Sequence, residues 1–203
     1  MGLYREQILP RVIDRVADTP ALRDLRTEVC SALSGEVLEV GFGSGLNVAH
    51  YPDSVDSVTA VDPATVGRRL AAGRLAASRV PVAFADLDGD RLPLGDHTVD
   101  EILVTLTLCT IPDVDASLAE MRRVLRPGGT LRFFEHGRAP DAGARRWQKR
   151  LNPLWKPLAG GCNLDRAIDE IIRRAGFAVD VERRRLPGGA VFASMYVGTA
   201  RPI

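Results

Sequence analysis

The stretch VLEVGFGSGLNVAH, residues 37–50, decides the fold class of this 203-residue chain. Its β-branched start at 37–40 predicts a short strand, the glycines at 41–45 predict a tight turn, and residues 46–50 can open a helix. Glycines remove Cβ atoms where a strand turns into a helix, which lets a ligand lie against the backbone. In an open α/β sheet, ligands bind in the crevice at the carboxyl end of such a strand. The stretch therefore predicts an α/β protein with a ligand site at this turn.

Strands and helices alternate along the chain on both sides of this turn. Apolar spacing predicts two helices within residues 1–32, one at 64–77, and one that Asp113 or Asp115 caps and that the Pro-Gly-Gly at 127–129 ends. The further predicted strands are 57–61, 80–84, 99–104 and 130–134. The uninterrupted apolar run 99–104 is typical of a strand buried on both faces, which favours a parallel sheet. We expect right-handed βαβ units with helices on both sides of the sheet.

The last third of the chain follows a different pattern. A polar helix is predicted at 145–158, and a second helix places Leu164, Ile168, Ile171 and Ala175 on one stripe before Gly176. Strands are then predicted at 178–185 and 190–199. Their connection, 186–189, is too short for a crossover helix, so this pair must be antiparallel.

The chain shows no internal repeat and no linker, so we predict a single domain with three parts. Residues 1–34 form N-terminal lid or capping helices, 35–136 a cofactor-binding half, and 137–203 an acceptor-side insertion with the late helix and the antiparallel pair.

Composition and charge exclude several classes of protein. With 27 basic against 26 acidic residues, no net field would hold the chain on nucleic acid. Cys30, Cys109 and Cys162 lack CxxC spacing, which argues against a disulfide framework or a zinc site and for a reducing compartment. Prolines and glycines interrupt the longest uncharged stretch, 186–200, whereas a spanning helix needs about 20 apolar residues. The charged first 20 residues do not resemble a secretory signal, so we expect a cytoplasmic protein without a bound metal.

Asp62 is expected to place a carboxylate beside the glycine turn. It ends the second predicted strand, where a carboxylate can accept hydrogen bonds from both hydroxyls of a ribose, each worth roughly 1.5–3 kcal/mol. The alternative is a helix N-cap before Pro63. The nicotinamide fingerprint GxGxxG would need a third glycine where the chain has Leu46, which disfavours a nicotinamide oxidoreductase.

These residues together resemble the class I S-adenosylmethionine-dependent methyltransferases. Residues 39–45 are similar to the family's first motif, Asp62 to its ribose-binding acid, and 124–129 to the turn before its fifth strand. The resemblance covers nearly the whole chain. It implies a Rossmann-like, mostly parallel seven-stranded sheet of order 3-2-1-4-5-7-6 with an antiparallel seventh strand, S-adenosylmethionine as cofactor and S-adenosylhomocysteine as product.

The resemblance also implies a set of cofactor-binding residues: Glu39, Gly41, Phe42, Gly43, Gly45, Asn47, Asp62, Pro63, Asp88, Gly89 and Thr105. The segment 91–100 is similar to that of ubiquinone-biosynthesis-type enzymes, in which a preceding acid contacts the adenine. By that register the acid is Asp88, with the Gly89 backbone beside the ring. Asp86 and Asp90 are alternatives, and at least two aspartates of this stretch belong to a solvated loop.

Four short strings give a closer resemblance: 108–110 (LCT), 134–136 (FEH), 152–155 (NPLW) and 161–166 (GCNLDR). They resemble the methyltransferase-like thiol S-methyltransferases of animals and their unanchored bacterial relatives. The chain departs from the animal members by lacking their hydrophobic N-terminal anchor, so membrane residence does not carry over. The resemblance implies a thiol acceptor.

Methyl transfer from a sulfonium asks little of side chains once a nucleophile is held in line, although a thiol acceptor benefits from a base or a cationic neighbour. His136, just past the fifth strand, is the catalytic candidate. The alternative is that His136 and Glu135 bond to each other or to backbone and only shape the pocket. The acceptor-side candidates are Cys109, Trp155, Cys162 and Asn163, against the alternatives of buried cysteine filler and ordinary helix packing of the tryptophan.

The sequence thus favours S-adenosylmethionine-dependent methylation of a small, lipophilic acceptor, with a thiol first. The alternatives are O-methylation of a quinol or phenol, and a non-catalytic S-adenosylmethionine-binding sensor. Residues 105–108 (TLTL) lack the Asn/Asp-Pro-Pro-aromatic string of adenine and cytosine enzymes, so we expect no nucleic-acid partner. The oligomeric state and a peripheral membrane contact of the arginine-rich segment 145–150 stay open.

Overall fold

The computed structural model describes residues 4–87, 91–187 and 189–203. A π-helical turn, Tyr4–Ile8, leads into the first of the six α-helices within these ranges, and a short 3₁₀ turn, Val48–His50, follows the first strand. The helices are α1 (Leu9–Val16), α2 (Pro20–Cys30), α3 (Thr65–Ala76), α4 (Val114–Val124), α5 (Ala142–Leu158) and α6 (Ile168–Arg174).

Seven strands form one sheet in the order β3-β2-β1-β4-β5-β7-β6. They are β1 (Gly35–Val40), β2 (Val55–Val61), β3 (Val82–Phe84), β4 (Val99–Thr105), β5 (Leu125–His136), β6 (Phe177–Arg185) and β7 (Ser194–Pro202). The first five run parallel, and β7 is antiparallel to both β5 and β6. The predicted strand order and the antiparallel seventh strand are confirmed.

Two buried clusters make up the core. In one, α4 and α6 pack Leu118, Met121 and Ile172 on β4 and β5; in the other, α2 packs Leu25 and Val29 against β1 and β2. The central strand β4 is buried along both faces, as its apolar run predicts. Asp113 caps α4 by accepting a hydrogen bond from the Ala116 amide at 3.0 Å.

Two predicted boundaries near the glycine turn and β5 were wrong. The helix expected at 46–50 is only the 3₁₀ turn, because Tyr51 precedes Pro52 and is extended (φ −67°, ψ 126°), as a residue before proline prefers. Strand β5 starts at Leu125 rather than at 130. Leu125 pairs with Val99 and Thr130 with Glu101, so the Pro-Gly-Gly bulges out of the strand instead of preceding it.

Two boundaries in the last third also differ from prediction. Helix α6 starts at Ile168 and leaves Leu164 outside, because the Leu164 amide donates to Asn152 Oδ1 (2.9 Å) and Arg166 Nη1 to the Ile111 carbonyl (2.9 Å). Strand β7 starts at Ser194 rather than at 190. A turn in which the Phe192 amide donates to the Gly189 carbonyl lengthens the connection from β6.

None of the helices in the described ranges combines the length and the apolar character that crossing a membrane requires.

Candidate functional site

The carboxyl ends of four parallel strands meet at one edge of the sheet. Val40 lies beside Val61 and Val104, and Thr105 lies beside Phe134. The loops that follow β1, β2, β4 and β5 therefore converge there. This edge brings together the glycine turn, Asp62, residues 105–109 and the end of β5.

The glycine turn is held from the side by Asp62. One carboxylate oxygen accepts a hydrogen bond from the Gly43 amide and the other from the Ala64 amide, both at 2.6 Å. Each oxygen keeps a lone pair for a further donor. The N-cap of α3 is Ala64, so the alternative that Asp62 caps the helix is wrong. Asp62 and Pro63 instead join the end of β2 to the turn after β1.

Gly41 has φ +80°, and a Cβ there would lie 2.0 Å from Thr107 Oγ1. No other residue fits this position, so the turn and the loop after β4 touch. Gly45 closes the turn, its amide donating to the Phe42 carbonyl at 3.0 Å. The Phe42 ring is buried edge-on against Phe84, at a centroid distance of 5.1 Å, so only its backbone belongs to the ligand side.

A buried polar group supports the turn from beneath. Glu39 is 1% exposed and accepts hydrogen bonds from Tyr51 Oη and from Asn47 Nδ2, the latter at 2.9 Å. Asn47 Nδ2 also donates to Thr105 Oγ1 at 2.9 Å, which links the turn to β4. Burial raises the pKa of Glu39 to about 7, against the opposing effect of the Tyr51 and Asn47 hydrogen bonds. Both Glu39 oxygens thus bond within the protein.

Asn47 Oδ1 is buried and has no hydrogen-bond partner in the described part of the chain. An orphaned buried acceptor of this kind costs about 1–3 kcal/mol unless a donor reaches it. Asn47 follows the glycine turn by two residues, so this acceptor belongs to the same loop.

The predicted adenine side is only partly described. Asp88 and Gly89 lie outside the described residues, as does the alternative Asp90. The other alternative, Asp86, is exposed and forms an ion pair with Arg68 at 2.7 Å, and the Arg68 guanidinium lies 4.6 Å from the centroid of the Phe84 ring.

A second buried carboxylate organises the loop after β4. Glu135 is fully buried and accepts hydrogen bonds from the backbone amides of Thr107 (2.6 Å), Leu108 (2.9 Å) and Cys109 (3.2 Å). Burial raises its pKa to about 7, although the three amides favour the ionised form. Leu106, just before these amides, has φ +54°, a strained conformation that clusters at functional sites. The alternative to a catalytic His136 is that His136 and Glu135 bond to each other or to backbone. Glu135 does bond to backbone in this way.

His136 faces the acceptor-side segment instead. Its Nδ1 lies 4.0 Å from Cys162 Sγ, whereas Nε2 is buried and without a hydrogen-bond partner among the described residues. Trp155 Nε1 is likewise buried and unpartnered within the described ranges. The Trp155 ring packs on Phe192 at a centroid distance of 4.9 Å. The structure thus brings His136, Cys162 and Trp155 together.

The acceptor-side segment is fastened to the loop after β4. The Asn163 amide and Nδ2 both donate to the Cys109 carbonyl, at 2.9 Å and 3.0 Å, so this predicted acceptor residue bonds within the protein. Fully buried Gln148 on α5 accepts from the Ala139 amide and donates to the carbonyls of Gly137 and Val191. Sequence reasoning missed Gln148 because a glutamine in a polar helix is ordinarily exposed.

The chain matches the family model described as "Methyltransferase domain" over residues 38–133. The thiol S-methyltransferase TMT1B of Rattus norvegicus is 36% identical over 149 residues, covering 70% of this chain and 59% of that protein. TMT1A of Homo sapiens is 35% identical over 146 residues, covering 70% and 59%. The malonyl-[acyl-carrier protein] O-methyltransferase of Laribacter hongkongensis is 33% identical over 195 residues, covering 88% and 62%. The chain belongs to the class I S-adenosylmethionine-dependent methyltransferases.

The chain spans about three fifths of the length of these relatives. Two solved structures share the methyltransferase fold. The [4+2]-cyclase SpnF superimposes with a TM-score of 0.67 at 24% identity, covering 90% of this chain and 80% of that one. The YcgJ protein of Bacillus subtilis also gives 0.67, at 16% identity and covering 88% and 94%. At these identities the likeness concerns the fold alone.

The residues of this methyltransferase edge fit the family's cofactor. S-adenosylmethionine carries ribose hydroxyls, an amino group and a carboxylate. The Asp62 oxygens suit the ribose hydroxyls, the partly exposed backbone of Gly41 and Gly43 suits close approach, and orphaned Asn47 Oδ1 suits a donor. Sequence reasoning missed Gly67, which also lies at this edge, because a glycine inside a helix does not reveal that another segment packs closely against it. A Cβ on Gly67 of α3 would lie 2.4 Å from the Gly43 carbonyl oxygen.

Replacing Gly67 tests this packing. We expect Gly67→Ala to displace the glycine turn, since a backbone oxygen cannot give way cheaply, and to destabilise the fold by about 1–3 kcal/mol. Binding of S-adenosylhomocysteine, measured by calorimetry, should weaken with it. Gly73→Ala on the same helix is the matched control, because its Cβ meets nothing within 4 Å. The free energy of unfolding of that control should rise by about 0.5–1 kcal/mol. If both variants lost the same amount of stability, the packing argument would be contradicted.

The raised pKa of Glu135 predicts a pH-dependent stability. Between its ordinary value of 4.5 and about 7, the folded state holds a proton that the unfolded state has lost. Its contribution therefore lowers the free energy of unfolding as pH rises through this window. Urea titrations at several pH values should show that Glu135→Gln makes this slope less negative and leaves the similar contribution of Glu39, while the variant also loses about 1–3 kcal/mol because the amide cannot accept from every backbone donor.

Exposed Glu182 is the control for this measurement. Arg184 lowers the pKa of Glu182 from its ordinary value of 4.5, so the stability that Glu182 contributes is nearly complete above that pH, and Glu182→Gln should leave the slope between pH 4.5 and 7 almost unchanged. If wild type and Glu135→Gln differed by the same amount at every pH from 4.5 to 7, the inferred protonation of Glu135 would be refuted.

Proposed function

We propose that this protein binds S-adenosylmethionine and transfers its methyl group to a small, lipophilic thiol. The observation that carries the proposal is that two groups share one sheet edge: the glycine turn clamped by Asp62, and His136 with its buried, unpartnered Nε2. The names of the rat and human relatives favour sulfur as the methylated atom.

The cofactor half of the site binds and orients S-adenosylmethionine. Asp62 holds the ribose, and the backbone of 41–45 lies along the cofactor. Asn47, kept in place by Glu39 and Thr105, offers Oδ1 to a donor. When bound, S-adenosylmethionine supplies an electrophilic methyl group on a sulfonium, which reacts by direct displacement. Holding the two reactants in line supplies much of the rate.

The acceptor half supplies an apolar wall and a proton partner. Trp155 and Phe192 pack together, and their rings suit an apolar acceptor. The thiolate is the competent nucleophile. His136 favours it in both protonation states, because neutral Nε2 can take the proton from an acceptor thiol and an imidazolium stabilises the resulting charge. The strained loop at Leu106 is fastened by Glu135, and its Cys109 carbonyl accepts a hydrogen bond from Asn163 of the acceptor-side segment.

A quinol or phenol oxygen is the second candidate acceptor. The Laribacter hongkongensis relative, which aligns over 88% of this chain, is named as an O-methyltransferase, and its name supports oxygen as the alternative methylated atom although the group it names is a malonyl group. A phenol also needs its proton removed, so His136 would serve either acceptor. A non-catalytic sensor would bind the cofactor with the same residues.

The direct test is calorimetric titration with S-adenosylmethionine and S-adenosylhomocysteine, followed by transfer to alkyl thiols, aryl thiols, catechols and quinols. We expect binding and transfer to thiols. Transfer only to catechols or quinols would move the proposal to the second candidate. Binding without any transfer would favour the sensor, and no binding would overturn the proposal.

Removing the Asp62 carboxylate should weaken cofactor binding. We expect Asp62→Ala to raise the dissociation constant roughly tenfold or more, from the lost charged hydrogen bonds. Asp56→Asn, an exposed change near the start of the same strand, is the control and should leave binding alone. An unchanged dissociation constant in Asp62→Ala would refute the ribose role.

Removing the His136 imidazole should slow turnover and leave cofactor affinity unchanged. We expect His136→Ala to lower kcat with an alkyl thiol at neutral pH by about a hundredfold or more, as loss of an acid–base group does. The loss should shrink for acidic aryl thiols, which ionise without help. His97→Asn is the control, because His97 lies at the opposite edge of the sheet and asparagine tolerates its positive φ. An equal loss for every thiol would leave His136 with only a shaping role.

A further inference from the structure

Two of the three cysteines meet at the acceptor side of the site. Cys109 follows β4 and Cys162 lies between α5 and α6, yet the hydrogen bond from the Asn163 amide to the Cys109 carbonyl (2.9 Å) sets their backbones side by side. Cys30, the last residue of α2, is buried in the core, apart from this pair. The methyl transfer proposed above does not use the sulfur of either Cys109 or Cys162.

The two thiols of the pair have opposite characters. Cys162 is partly exposed, and its Sγ lies 4.0 Å from His136 Nδ1. The Cys109 thiol and the His136 ring lower the pKa of Cys162. Cys109 is only 2% exposed, and the neighbouring Cys162, burial and the Glu135 charge raise its pKa. One sulfur is therefore partly exposed beside an imidazole, whereas the other is buried.

This asymmetry is what exchange with a disulfide requires. An attacking sulfur must be a thiolate with access to the incoming disulfide, and a second thiol must stand close enough to resolve the mixed disulfide. A buried filler cysteine has neither access nor a charged partner. The unpartnered Nε1 of Trp155 and the packed rings of Trp155 and Phe192 lie on the same side as Cys162.

We propose that Cys162 and Cys109 form a thiol–disulfide exchange site for small organic disulfides, with Cys162 as the attacking sulfur and Cys109 as the resolving one. In the first step, the Cys162 thiolate attacks one sulfur of R–S–S–R. The S–S bond breaks, one thiolate RS⁻ leaves, and Cys162–S–S–R forms.

In the second step, Cys109 loses its proton to solvent and attacks Cys162 Sγ. The mixed disulfide breaks, the second RS⁻ leaves, and the Cys109–Cys162 disulfide forms. The incoming disulfide gains two electrons and the cysteine pair loses two, so one round needs no other reactant. Reduction of the pair by an external dithiol resets it.

Exchange requires neither S-adenosylmethionine nor methyl transfer. The role of this exchange in methylation, in contrast, rests on the proposed function. Each thiolate would be released beside His136, where the methyl acceptor is needed. A pocket that accepts a thiol would then also accept its oxidised dimer.

The test uses the full chain, reduced and freed of reductant without oxygen, with bis(2-hydroxyethyl) disulfide as the probe. We expect wild type to release two thiols per chain and to lose the mass of two hydrogens, with the Cys109–Cys162 bond found by peptide mapping. Cys109→Ser should stop at a mixed disulfide on Cys162 after releasing one thiol. Cys162→Ser should react at least about tenfold more slowly, because the remaining thiols are buried and protonated.

Cys30→Ala is the matched control and should behave as wild type, and circular dichroism checks that each variant is folded. Cys162→Ala provides a second removal of the attacking sulfur should the serine variant fail to fold. Equal reactivity of wild type and Cys162→Ser would overturn the proposal. A wild type that stops at the mixed disulfide would overturn the resolving role of Cys109. If the protein exchanged disulfides but methylated no thiol, the proposed thiol acceptor would be contradicted and the exchange site would stand. If it methylated thiols without exchanging disulfides, only the exchange site would be contradicted.

Discussion

Two buried carboxylates hold the ligand edge of this sheet together. Glu39 bonds to the residues that follow the glycine turn, and Glu135 gathers three consecutive amides of the loop after β4. Loop amides and side chains at a sheet edge otherwise depend on water for partners. Because each carboxylate sits under a different loop, the glycine turn and the strained loop at Leu106 are each tied to the sheet by hydrogen bonds.

The two halves of the site are built differently. The cofactor half depends on short contacts between neighbouring parallel strands, such as the Asp62 bridge to Gly43 and the link from Asn47 to Thr105. The acceptor half depends on side chains that reach across the fold, such as Gln148 and Asn163. The first kind of contact follows from strand order, whereas the second follows from tertiary packing.

That difference explains how much could be predicted from the sequence. The glycine turn and the place of Asp62 and His136 at strand ends follow from local patterns, whereas the strand order was implied by the resemblance to the methyltransferase family. The start of α6 was misplaced because the hydrogen bonds that the Leu164 amide donates to Asn152 and that Arg166 donates to Ile111 override the apolar period. Gly67 and the Cys109–Cys162 pair could not be found from spacing, because their contacts join segments far apart in the chain. The three-part division of the chain stays a prediction.

The reversed direction of β7 has a consequence for how such a protein can change. His136 ends β5 beside Met195 near the start of β7, so the residues just before β7 emerge next to the catalytic candidate. Phe192 and the carbonyl of Val191 come from this connection, and Trp155 and Gln148 come from α5. Both walls of the acceptor side thus belong to the last third of the chain. Insertions or substitutions there can reshape the choice of acceptor while the Asp62 and glycine-turn contacts stay as they are.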